Sequence, residues 1–137
     1  MLTGLRTTFN ADKQLGNKGE KLILPKLKTF FKDDSISQLD EFNKNDFIGS
    51  DGNSYELKTR RVSRNQYRTT FMPVNKVIAD KTQYFIFSFC DGKDCYIKYD
   101  DQKFSKYKTE MLIDARSGRN GLKKLHYHIP VEDLTDF

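Results

Sequence analysis

The sequence predicts an α+β domain from three features. They are a helix-periodic stretch near the N-terminus, a tight hairpin at Ser50-Asp51-Gly52, and the near-continuous apolar run QYFIFSFC at Gln83–Cys90. The 137 residues are enough for one domain around one core, so 1–137 is expected to be a single unit with residues 1–10 a flexible arm. Apolar residues make up only 36%, but 11 Phe and 7 Tyr supply bulky core material without any Trp.

Between Ala11 and Lys32, the residues Leu15, Leu22, Ile23, Leu27, Phe30 and Phe31 recur at helical spacing, with Asn10 as the N-cap. Pro25 falls inside this stretch and is expected to kink the helix or split it in two. Gly16 and Gly19 weaken its first half and suit a close backbone approach. Ser35–Phe42 reads as a first strand, although Ile36 and Leu39 break strict alternation. Phe47–Gly49 and Ser54–Val62 form the hairpin. Arg64–Met72 reads as irregular, and Pro73–Lys81 as a short helix with Val74, Val77 and Ile78 on one side. Gln83–Cys90 is expected to be a strand buried on both faces, turned by Asp91-Gly92-Lys93-Asp94 into a partner strand at Cys95–Tyr99. The remainder supports a loop, a strand at Leu125–Ile129 and a helical turn at Val131–Leu134.

A net charge of +5 and a pI near 9.1 suit a polyanionic partner, and the distribution sharpens this. Arg60, Arg61, Arg64 and Arg68 fall within nine residues, around Gln66 and Tyr67. Arg116, Arg119, Lys123 and Lys124 form a second cluster, spaced by Gly118 and Gly121. A solvated charged surface is the alternative for either cluster. No run of about 18 apolar residues occurs, so no membrane span is expected. The N-terminus lacks an apolar stretch followed by a small-residue cleavage site, so the protein is expected not to be secreted. A cytoplasmic or nuclear protein, or a virus-encoded intracellular one, fits this composition.

The hairpin carries the chemistry. A three-residue loop places Gly52 at the position needing positive φ. Counting outward, Gly49 then faces Asn53, Ile48 faces Ser54, Phe47 faces Tyr55 and Asp46 faces Glu56. Glu56 and Lys58 are two apart on one strand and project to the same side, where Asp46 joins them. Two carboxylates this close repel unless a cation or a proton intervenes. A two-residue Asp-Gly turn would instead send Asp46 to the opposite face. The cluster suits Mg²⁺, a hard cation that takes oxygen ligands and keeps several waters, with Mn²⁺ as a substitute. Asp46, Glu56 and the backbone carbonyl of Leu57 would hold it. Lys58 would orient or deprotonate a water, or stabilise charge at a reacting phosphoryl group.

Asp46 followed by Glu56-Leu57-Lys58 on the next strand resembles the PD-(D/E)xK nuclease superfamily. Members commonly add a Glu from the N-terminal helix, and Glu20 in GNKGEKLILPKL stands where that residue is expected. Asn45-Asp46 replaces the Pro-Asp that names the family, and Asp51 competes as the acidic residue but is better suited to the turn. The resemblance spans roughly Asp12 to Arg68. It implies a restriction-endonuclease-like α/β/α fold, with a central mixed sheet of four to five strands flanked by helices. It also implies a Mg²⁺-dependent endonuclease that hydrolyses DNA, with Glu20 reaching the metal through a water. Small basic members of this length resemble Holliday-junction resolvases, homodimers that act on branched DNA in repair or recombination. Arg60, Arg61, Arg64 and Arg68 would then contact phosphates, as would the second cluster. Tyr67 would stack on a base or simply pack, and Gln66 would position a water or substrate. The rival from another class is a non-catalytic nucleic-acid-binding module that uses the Arg clusters. An inactive nuclease-fold protein acting through a partner is a third reading.

Cys90 and Cys95 flank a turn, and His126 and His128 share one face of the expected strand, which formally makes a four-ligand zinc set. Their spacing across a tight turn is not that of a zinc knuckle. Reduced structural thiols are the expectation, ahead of zinc or of a disulfide in a reducing compartment. His126 as a nuclease base lacks a companion motif.

Overall fold

The most apolar stretch of the sequence becomes the middle of the molecule. The structure, a computed structural model, describes residues 18–40, 45–78, 80–113 and 122–137. Its strands, in chain order, are β1 (Ser37–Gln38), β2 (Phe47–Ile48), β3 (Ser54–Thr59), β4 (Thr69–Pro73) and β5 (Gln83–Ser88). They continue with β6 (Asp94–Lys98), β7 (Thr109–Ile113), β8 (Lys123–Pro130) and β9 (Thr135–Asp136). They form a six-stranded sheet, β1-β2-β3-β5-β6-β9, and a three-stranded sheet, β4-β8-β7. β3 and β5 pair in parallel, whereas the other pairs are antiparallel. A parallel pair needs a crossover connection, and this one carries β4 into the second sheet.

Two cores follow from the alternation of side chains along β5. Ile86 points to the face covered by helix α1 (residues 18–30), where Ile23 and Leu27 pack against Phe47, Tyr55 and Leu57. Phe85 and Phe87 point to the other face and meet Met72 of β4, Ile129 of β8 and Phe104 of the short helix α2 (Asp101–Phe104). Burial from both sides explains why the run is apolar throughout. The α+β class stands, but the flanking layers differ from expectation. The second layer is a β-sheet rather than helices, and the main sheet has six strands rather than four to five.

Several elements depart from the sequence reading. Helix α1 continues unbroken through Pro25, whose ring is exposed. The first strand shrinks to two residues, and of Arg64–Met72 the first part, 64–68, is irregular as expected whereas Thr69 onward belongs to β4. Pro73–Lys81 holds only one 3-10 turn, Val74–Lys76, because Pro73 still belongs to β4. Strands β7 and β9 and helix α2 were not legible; α2 is capped by Asp100, whose carboxylate accepts from the Gln102 and Lys103 amides. The expected arm at residues 1–10 lies outside the described residues.

The hairpin adopts the three-residue geometry. Phe47 faces Tyr55 and Ile48 faces Ser54, the Gly49 amide donates to the Asn53 carbonyl at 2.8 Å, and Gly52 has φ 73°. Asp51 also turns left-handed, at φ 56°. Asp33 fastens the loop by accepting from the Ser50 amide at 2.8 Å and its hydroxyl at 2.9 Å. The Ser35 hydroxyl, which donates to the same carboxylate, and then the Ser50 amide hold the Asp33 carboxyl down at about 2. A Cβ on Gly49 would sit 2.6 Å from that Asp33 carboxylate, so the approach requires glycine.

Candidate functional site

Pairing between β2 and β3 ends at Phe47 and Tyr55, which leaves the edge of β3 open beyond that point. Asp46 turns into this opening. Its amide donates to the Tyr55 carbonyl at 3.1 Å, and its carboxylate accepts from the Leu57 amide at 2.8 Å, where a regular ladder would use backbone. Asp46 is therefore not a ladder partner of Glu56, as the sequence count had it, but a side-chain extension of the ladder. In a strand the N–H and C=O of one residue lie on the same edge, so the Leu57 carbonyl faces the Asp46 side and not β5.

Glu56 projects to the face it shares with Phe85 and Phe87, and it is almost wholly buried. Its Oε1 lies 3.4 Å from the Lys58 ammonium and 3.4 Å from that of Lys76. Its Oε2 is buried and makes no hydrogen bond to any described group. Burial raises the Glu56 carboxyl above the usual range; Lys58 and Lys76 offset this in part, and Asp46 adds to it. Glu20 approaches from α1, on the opposite face of the sheet. Its carboxyl is pushed up to about 7 by burial first, then by the Asp46 carboxylate, with Glu56 adding a smaller push. The Gln38 amide donates to Glu20 at 2.5 Å and works the other way. Gly19 sets the approach of α1, since a Cβ there would lie 2.5 Å from the Thr59 hydroxyl.

Glu20, Asp46, Glu56 and Lys58 thus come together around the open edge of β3. Two residues that the sequence did not single out join them. Lys76 arrives on the 3-10 turn of the crossover, and its backbone carbonyl accepts from the Gln83 amide at 2.9 Å. Gln83 also donates to Asn45 at 2.8 Å and accepts from the Ile78 amide at 2.7 Å. Asn45, the departure from the family's proline, is thereby a buried polar link that proline could not make. No local spacing signals Lys76 or Gln38, because their places depend on how the chain crosses between sheets.

The expected phosphate-binding residues divide. The Arg60 side chain donates to Thr70 and to the Phe71 carbonyl, and its guanidinium lies 5.5 Å from the centre of the Phe87 ring. Arg64 donates from Nε to Asp136 at 2.9 Å and to the Cys95 sulfur at 3.1 Å. These two arginines bind their own protein. Arg61, Gln66, Tyr67 and Arg68 are exposed, with the Gln66 side chain accepting from the Ser63 amide at 3.4 Å. Lys123 and Lys124 open β8, whereas Arg116 and Arg119 lie outside the described residues.

The zinc set does not assemble among the described residues. Cys90 is exposed and Cys95 buried, His128 bonds Glu110 at 2.8 Å, and His126 Nδ1 lies 2.8 Å from the Lys124 carbonyl. Nor do three His, Cys, Asp or Glu side chains form a ready-made cage for any other ion among those residues. A cation at the open edge of β3 would draw on two carboxylates, the Leu57 carbonyl and water. That ligand set suits Mg²⁺, which keeps several waters. The orphaned Glu56 oxygen and the raised Glu20 and Glu56 carboxyls fit a missing positive partner. No family model, curated protein or solved structure gives a significant match to the chain. No described helix is long and apolar enough to cross a membrane.

Proposed function

We propose that the protein is a metal-dependent endonuclease that hydrolyses phosphodiester bonds of DNA, with branched or junction DNA as the favoured form. The observation that carries this is Glu56, buried with one oxygen between two lysines and the other without a partner, beside Asp46 and Glu20. Asp46, Glu56 and the Leu57 carbonyl would hold Mg²⁺, with Glu20 reaching it through water. When bound, the ion supplies Lewis acidity toward a phosphoryl oxygen and lowers the pKa of a nearby water. Glu20, with its carboxyl near 7, can accept a proton at neutral pH. Lys58 places positive charge where a phosphate would meet Glu56, which favours its electrostatic role over that of a base.

The competing reading is a non-catalytic nucleic-acid-binding module. It is favoured by the two lysines that already face Glu56 and compensate its charge from within. One assay separates the two. Purified protein is incubated with linear, nicked and four-way-junction DNA in Mg²⁺, Mn²⁺ or EDTA. Cleavage that needs the metal and falls at least about a hundredfold in Lys58→Ala is expected. Absence of metal-dependent cleavage, or full cleavage by Lys58→Ala, would sink the enzyme reading.

A further inference from the structure

A groove of about 550 Å³ opens at the carboxyl ends of the parallel strands β3 and β5, against the first described turn of α1. Its volume lies in the range of ligand sites. Lys18 and Leu22 come from α1, Thr59 and Arg61 from the end of β3, and Phe89 and Cys90 from the end of β5. Leu22 is 62% exposed, more than Phe30 at 41% on the same helix, and Cys90 is exposed as well. No acidic side chain is among the described residues that line the groove.

On a helix, residues two apart are 200° apart at 3.6 residues per turn, so Leu22 and Lys18 lie on the flank opposite Glu20. The groove and the carboxylates therefore straddle the same helix turn. Their separation is about one helix diameter, roughly 10 Å, or about three nucleotides at stacked spacing. A cationic rim over an apolar floor is the combination that receives an unpaired strand, whose bases and sugars meet the floor while its phosphates meet the rim. A duplex would present phosphates alone to such a concavity.

We propose that this groove binds an unpaired DNA strand that flanks the phosphate offered to Glu20, Asp46 and Glu56. Lys18 and Arg61 contact its phosphates, and Leu22 contacts sugar and base. The proposal rests on the nucleic-acid reading above but not on cleavage, so its test is done in EDTA. Binding of an oligothymidylate of about twelve nucleotides is followed by fluorescence anisotropy for wild type, Leu22→Glu and Gln102→Glu. Gln102 is exposed on α2, at the far end of β5, and carries the same added charge as a control. Cys90 alkylation is followed in parallel, because Cys95 is buried and held by Arg64 and Asp136 and stays silent.

Leu22→Glu is expected to raise the Kd about tenfold while Gln102→Glu leaves it unchanged, and saturating oligonucleotide should slow Cys90 alkylation about tenfold. Oligonucleotide that binds while Cys90 reacts at its free rate, with Leu22→Glu binding like wild type, would overturn the groove and leave the nuclease reading intact. Protection by duplex but not by single strand would overturn the assignment to an unpaired strand. Failure to bind DNA at all at low salt would overturn it too, and the separate cleavage assay then decides the nuclease reading.

Discussion

Glu20 is the site residue whose carboxyl the surrounding structure brings into the neutral range. Its carboxyl moves from 4.5 to about 7, so in metal-free protein it contributes stability below about pH 4.5 that is lost as pH rises through 7. Above that pH an ionised Glu20 faces Asp46 and Glu56 with no described cation of its own. Glu20→Gln removes the charge and should flatten the fall in melting temperature between about pH 5 and 8, measured by thermal scans in EDTA. In wild type, Mg²⁺ should raise the melting temperature more at pH 8 than at pH 5.5, because protons and the ion compete for one cluster. An unchanged pH profile in Glu20→Gln would contradict the coupling. The reason Glu20, Asp46, Glu56 and Lys58 were legible is local. Glu56 and Lys58 share a strand face by parity, Asp46 is carried by a hairpin whose loop length is readable, and Glu20 borders an apolar helix stripe. Lys76 and Gln38 were not legible, since neither period nor spacing encodes the partner brought by a crossover or a two-residue edge strand.

At the scale of elements, the 3-10 turn at Val74–Lys76 matters more than its length suggests. It replaces the expected helix, and the buried Gln83 side chain holds it by donating to the Lys76 carbonyl and accepting from the Ile78 amide, while it also donates to Asn45. Gln83→Leu would keep the volume but leave the Ile78 amide, the Lys76 carbonyl and Asn45 short of partners. A loss of about 3 kcal/mol in urea unfolding is expected, together with weaker cleavage through a displaced Lys76. A change under about 0.5 kcal/mol would show that the network is slack. The hairpin, β5 and β6 were readable because turn chemistry and hydrophobic runs agree there. Strand β7 was hidden because Thr109–Ile113 is an exposed edge whose pattern is that of a surface, not of a buried face. Pro73 misled in the same way. It reads as the start of a helix, yet it closes an edge strand, where a missing amide costs no ladder bond.

At the scale of the whole molecule, the open edge of β3 is where three layers meet. Helix α1 supplies Glu20 from one side, and the main sheet supplies Asp46, Glu56 and Lys58. The crossover toward the second sheet supplies Lys76. Charge follows the same geometry. Arg60 and Arg64 spend their guanidinium groups on β4 and β9, so the basic excess alone overstates how many cations face a ligand. DNA affinity should therefore fall with salt by fewer counterions than the four clustered arginines suggest. The most direct test of the site is a crystal grown with Mn²⁺ and examined for anomalous density. A single ion about 2.1 Å from carboxylate oxygens of Asp46 and Glu56 and from the Leu57 carbonyl is expected, with Lys58 or Lys76 moved off Glu56. At saturating Mn²⁺, no density there and both lysines still 3.4 Å from Glu56 would contradict it.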